Sequence, residues 1–172
     1  MKKQFSPGTL ANAGVLIAMN VVLSRLVSIP IGNLFRISVA HVPIILCGLW
    51  LGPLIGGIAG AAGDLIGCAF MGYAPNPFLT VSACLVGIIP SLFKKFIMSG
   101  GRGTQRYLRY VLVIALTMLI TSQGLTTLGL SVMYGMPFKA TFISRLPQSG
   151  ALCVLNSFLV DMLYPIYYRM KS

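Results

Sequence analysis

Long apolar runs, broken by short polar or glycine–proline stretches, set the pattern of this chain. They fall at about 10–27, 37–51, 53–71, 77–97, 107–134 and 146–168. Several approach or exceed the ~18 residues that carry a helix across a bilayer. The pattern therefore predicts six helical spans. The second is short: fifteen residues, at ~1.5 Å each, cover about 22 Å of a ~30 Å hydrocarbon core. A loop that dips into the protein would meet it, because irregular backbone survives at that depth only where protein or water covers it. Gly52-Pro53 makes the link from span two to span three tight. Span five is long enough to tilt.

Composition agrees with the pattern. Hydrophobic residues make up 56% of the 172 positions and charged residues 9%, against about 25% charged in a soluble domain. So few charges cannot solvate a globular surface of this size. The expectation is an all-α membrane protein with one domain over residues 1–172. The opening MKKQFSPGTLANAGVLIAMNVVLS mimics a secretory signal. It shows no clear small-residue cleavage site and more membrane sequence comes after it, so it reads as the first span. Cys47, Cys68, Cys84 and Cys153 lie inside apolar runs without Cys-x-x-Cys spacing, and the lone His41 has no partner at metal-ligand spacing. Reduced cysteines packing as small apolar groups are expected. Neither a metal nor a cofactor is expected.

The net charge of +11 would suggest nucleic acid in a soluble protein. Here there is no basic stripe, and the charges sit between apolar runs, so no nucleic-acid partner is expected. An even number of spans puts both termini on one side. That side receives Lys2, Lys3, Lys94, Lys95, Arg102, Arg106, Arg109, Arg169 and Lys171; the other receives Arg25, Arg36, Lys139 and Arg145. Nine against four places both termini in the cytoplasm. The four outer cations flank two outer loops. Cations around an outer mouth attract an anion, and arginine can clamp a carboxylate bidentately. Headgroup binding or snorkelling is the plainer alternative.

Span three, GPLIGGIAGAAGDLIG, carries Gly52, Gly56 and Gly60 four apart, then Gly63 and Gly67. Residues four apart share a helix face, and small residues let membrane helices approach closely. The span is expected to be central. Asp64 is one of only two acidic residues. A carboxylate near mid-membrane costs ~3 kcal/mol or more, so it must face a neighbour, water or a ligand. It could pair with an interior arginine, order a loop or accept hydrogen bonds from a heteroaromatic ligand. Asp161 fits a structural or partner-contact role. Past the glycine helix, Gly72, Pro75 and Pro77 break the chain between Tyr73 and Phe78. These aromatic faces suit a flat ligand or an ordinary interfacial belt. Asn76, Thr80 and Ser82 add polar handles, as do Gln123, Thr126, Thr127, Gln148 and Asn156 in later spans. Helix–helix hydrogen bonds are the commoner use of such amides.

Three segments together resemble a known family: FRISVAHVPIILCG, GPLIGGIAGAAGDLIG and GYAPNPFLTVSACLVGIIP. Their order and spacing are similar to the substrate-binding (S) components of energy-coupling factor (ECF) transporters, nearest the folate branch. That branch has a G-P-x-x-G-x-x-x-G-x-x-x-D run, a proline–aromatic–Thr–x–Ser–Ala turn and a Gly-x-x-Pro. The resemblance covers most of the chain and is strongest over residues 36–91. Folate-branch members usually have Pro-Gly-Phe at the outer turn, where this chain has Pro75-Asn76-Pro77-Phe78.

The resemblance implies a compact six-helix bundle in a bacterial plasma membrane. It implies that the bundle captures a vitamin outside, docks on a transmembrane scaffold (T) subunit with two ATPases, and topples in the membrane. Docking in the family uses small residues four apart on span one; the nearest match here is Gly14 and Ala18. For folate, Arg25, Arg36 and Arg145 are the expected carboxylate ligands, and Tyr73 and Phe78 the stacking faces. Asp64, Ser82, Gln123 and Gln148 are the expected hydrogen-bonding groups for the pteridine. Riboflavin, pantothenate, thiamine or a deazapurine are alternative cargoes, with cationic thiamine disfavoured by the outer cations. No Gly-x-x-x-x-Gly-Lys-Ser/Thr loop occurs, so ATP hydrolysis is expected to lie in a separate subunit. An autonomous carrier would often show two repeated halves, and no convincing repeat is visible. A membrane enzyme would have only Asp64 with His41 as its seed, so no enzyme is expected.

Overall fold

The computed structural model describes residues 6–26, 29–31, 35–37, 39–72, 74–99 and 104–171. Helix α1 spans Pro7–Arg25. Ser6 caps it by accepting a hydrogen bond from the Thr9 amide at 3.2 Å, and Pro7 sits in the first turn, where a missing N–H costs nothing. A two-stranded antiparallel hairpin comes next, β1 (Ile29–Ile31) and β2 (Phe35–Ile37), with Arg36 opposite Pro30. The all-α expectation misses this hairpin. Helices α2 (His41–Leu51) and α3 (Pro53–Met71) meet at Gly52. Its φ of +106° is open to glycine and strained for other residues, and Pro53 then starts α3. Gly72, at φ +67°, ends it.

Helix α4 (Pro77–Leu92) starts at a cap in which the Asn76 side chain accepts from the Phe78 amide at 2.9 Å. The expected single run over 77–97 breaks at Phe93, and a short α5 (Lys94–Met98) continues from it. Lys94 donates to the Leu49 carbonyl at 2.6 Å, satisfying an end of α2 that the helix itself cannot. Then α6 (Thr104–Met118), a π-helical segment Leu119–Leu125 and α7 (Thr126–Tyr134) form one continuous rod. The last helix, α8 (Phe138–Lys171), begins well before the expected residue 146 and runs through Pro147 and Pro165.

Among the described residues, four stretches are long and apolar enough to cross a membrane: Pro7–Arg25, Pro53–Met71, Thr104–Met133 and Phe138–Ile166. Helices α2 and α4 are apolar but shorter. Large apolar side chains such as Phe70, Leu26, Val132 and Ile143 stand outward on several helices. A soluble monomer rarely exposes so much apolar surface, and lipid accepts it.

Helix α3 packs against α1, α2 and α4, so the expected central position is found. Its glycines divide the work. A Cβ on Gly56 would lie 2.6 Å from the Gly48 Cα and 2.8 Å from the Gly87 carbonyl oxygen. A Cβ on Gly60 would strike the Ala83 carbonyl, and one on Gly87 the Gly56 carbonyl. Three backbones therefore meet at Gly48, Gly56 and Gly87. Gly63 and Gly67 turn instead to α1, against Asn20 and Arg25. Gly52 is a turn residue and not a packing one; no atom lies within 4 Å of a Cβ built there.

The apolar core gathers Ile45, Leu49, Val86, Ile114 and Val160, all almost fully buried. Asp161 takes the structural role: Arg106 binds one of its oxygens through Nη2 at 3.0 Å and Nε at 3.1 Å, tying α6 to α8. Arg109 donates to the Phe96 carbonyl at 2.8 Å and lies 5.0 Å from the Phe96 ring centroid, holding α5 to α6.

Candidate functional site

A cavity of about 260 Å³ opens where α1, α2, α3, α4, the π-helical segment and α8 converge. Helix α1 contributes Asn20 and Ser24, which share a face at i and i+4, and the adjacent Arg25. Ala40, His41 and Ile44 come from the start of α2, and Gly60, Gly63 and Asp64 from α3. Helix α4 adds Leu79, Ser82, Ala83 and Val86; Ser122 and Thr126 come from the rod, and Arg145, Gln148 and Leu152 from α8.

Charge is unevenly matched here. Arg25 Nη2 lies 3.8 Å from Asp64 Oδ1, with only 16% and 14% of the two side chains exposed. Thr80 donates to the other Asp64 oxygen at 2.8 Å, and Arg25 Nη2 also donates to Cys68 Sγ at 3.6 Å. The absent side chain of Gly67 gives the guanidinium its berth: a Cβ there would be 2.6 Å from Arg25 Nε. Among the described residues, Arg25 Nε and Arg145 Nη1 are buried without a hydrogen-bond partner. Of the described residues lining the cavity, two guanidiniums thus meet one carboxylate. Buried donors of this kind are costly unless something satisfies them, and an anion would do so bidentately.

The neutral wall is ordered too. Ser82 and Thr126 hydroxyls are 3.2 Å apart. Asn20 is buried and donates to the Ala40 carbonyl at 2.7 Å, fixing the lead-in to α2 against α1. His41 Nδ1 is buried without a partner among the described residues.

Of the residues expected from sequence, Arg25, Asp64, Ser82, Arg145 and Gln148 converge on this cavity. Gln123 is buried but does not line it; its Nε2 donates to Ser149 Oγ at 2.7 Å. Phe78 does not line it either. It is 36% exposed, and a Cβ on Gly129 would lie 2.7 Å from the Phe78 Cβ. The side chain of Arg36 and all of Tyr73 lie outside the described residues. Sequence reasoning missed Asn20, Ser24, His41 and Ser122. The i, i+4 pair Asn20 and Ser24, just before Arg25, was the available signal. A second, apolar groove between α1 and α3 is lined by Gly14 with Ala13, Ile17, Ile55, Ile58 and Ala59. Ala18 is exposed outside it.

Apolar helices around a polar, cationic cavity define a membrane-embedded protein with an interior polar site. The chain belongs to the ECF-type riboflavin transporter S component family, whose model matches residues 4–169. It is a family of transporter components, not of enzymes. The folate transporter FolT of Clostridium novyi (strain NT) is 25% identical over 160 residues, covering 91% of this chain and 87% of the relative. The crystal structure of FolT bound with folic acid matches with a TM-score of 0.74 and 28% identity, over 92% of this chain and 93% of that one. The crystal structure of the S-component for biotin from an ECF-type ABC transporter matches with a TM-score of 0.68 and 21% identity, over 95% and 94% of the two chains. That likeness speaks to the fold.

Proposed function

We propose that this chain is the folate-binding S component of an ECF-type importer. The observation that carries the reading is the excess of guanidinium over carboxylate in the cavity, within a fold shared with a folic-acid-bound FolT. Folate joins a flat pteridine, with hydrogen-bonding edges, to a glutamate with carboxylates. Arg25 and Arg145 take the carboxylates. Asp64, held by Thr80, accepts from ring N–H groups, and Ser82 and Gln148 complete the polar contacts. Arg36, Tyr73 and Phe78 keep sequence-based assignments as further ligand contacts. At about 260 Å³ the cavity is at the small end of ligand pockets, ~300–1,000 Å³. Part of the ligand therefore extends towards the hairpin that joins Arg25 to Ala40.

Delivery takes the family pattern. The chain carries no ATP-binding loop of the Gly-x-x-x-x-Gly-Lys type, so a scaffold subunit with two ATPases drives toppling and release. The groove at Gly14 is the proposed docking face, with Ala18 beside it. Both termini lie in the cytoplasm on this reading, which the nine-to-four split of cations favours.

Riboflavin is the second reading, favoured by the name of the matched family. It lacks carboxylates and leaves the excess guanidinium charge unanswered. Calorimetric titration of the purified protein with folic acid and with riboflavin separates them. Folic acid is expected to bind one to one and riboflavin not at all; tight riboflavin binding without folic acid binding overturns the proposal.

A further inference from the structure

Arg145 and Gln148 sit on a turn of α8 that contains Pro147. Proline has no N–H, so the Ile143 carbonyl loses its helical donor and the turn is locally weakened. Just beyond it, Ser149 donates to the Arg145 carbonyl at 3.0 Å. The same hydroxyl accepts from Gln123 Nε2 at 2.7 Å. Gln123 is 1% exposed and comes from the π-helical segment Leu119–Leu125. An extra residue in such a turn rotates the remainder of the helix by ~100°. In this segment the Thr126 hydroxyl donates to the Thr121 carbonyl, five residues back, at 3.1 Å. Ser122 and Thr126 thereby face the cavity while Gln123, between them, faces α8.

We propose that Gln123 is a positioning residue, not a ligand contact. Its amide pins Ser149, and through it the proline-weakened turn that aims Arg145 at an anionic group of the ligand. The π-helical turn is the device that delivers it. This rests on the reading of the cavity as a site for an anionic vitamin.

The test uses the purified full chain with folic acid as probe. Gln123→Ala and Ser149→Ala are each expected to weaken binding about tenfold, the scale of one buried hydrogen bond. Arg145→Lys is expected to weaken it similarly by losing the planar fork. The double variant Gln123→Ala/Arg145→Lys is expected to bind no worse than Arg145→Lys alone, to about twofold. Additive losses, roughly a hundredfold together, overturn the proposal, as does unchanged binding by Gln123→Ala. A second arm needs no ligand. Amide hydrogen exchange over residues 143–149 should quicken in Gln123→Ala and Ser149→Ala, while residues 77–92 stay as in wild type. Unchanged exchange at 143–149 also overturns it. Wild-type protein that ignores folic acid while the exchange arm holds condemns the folate reading and leaves the pin standing. Ser149→Ala introduces a good helix former, so it serves if Gln123→Ala does not fold.

Discussion

Arg25 reaches across the bare backbone at Gly67 to within 3.8 Å of Asp64. The glycine is therefore a spacer for a charge as much as a surface for helix packing. A Gly67→Val variant places methyl groups where the guanidinium lies. Folic acid affinity is expected to fall about tenfold, roughly the ~1.5 kcal/mol of one charge-assisted hydrogen bond. The thermal midpoint in detergent should move far less than in a core variant. Unchanged affinity would detach Arg25 from the site.

Asp64→Asn separates two roles for the same carboxylate. The pair with Arg25 is long and partly exposed, so its loss should destabilise the empty protein by about 1–2 kcal/mol, between surface and fully buried values. If Asp64 were only a counter-ion, bound folate would replace it and ligand-induced stabilisation would grow. Direct acceptance from the pteridine predicts the reverse: the variant loses both resting stability and folate-induced stabilisation in a thermal-shift assay.

At the heart of the bundle, Gly56 and Gly87 leave no space for a methyl group, and the obstacle is backbone. Gly87→Ala is expected to destabilise by about 2 kcal/mol or more, because neither helix can yield without moving the other. Gly150→Ala is the matched control. No atom lies within 4 Å of a Cβ there, and removing a mid-helix glycine should stabilise by about 0.5–1 kcal/mol. Equal effects in thermal melts would contradict the assigned packing.

Much of this architecture could be read from punctuation. Pro53 and Gly72 mark the two ends of α3, and the structure begins and ends the helix there. Asp64 was recognisable because a carboxylate in an apolar helix must be answered by something. The last span was expected only from residue 146, yet α8 begins at Phe138 and runs through Pro147, as it can where neighbouring helices re-satisfy the freed backbone groups. The π-helical turn leaves no trace in the apolar pattern, so Gln123 was expected at a cavity that it does not line. His41 and Gly87 look ordinary alone. The cavity wall and the helix crossing that give them meaning exist only in the tertiary arrangement.

The central claim is that surplus positive charge in this cavity holds an anionic vitamin. Calorimetric titration of folic acid into wild type and into Arg25→Ala/Arg145→Ala tests it most directly. The account predicts one-to-one binding by wild type and a loss of at least about a hundredfold in the double variant, two charge-assisted contacts together, in protein that still elutes as a single folded species. Equal folic acid affinity in the two proteins would contradict it.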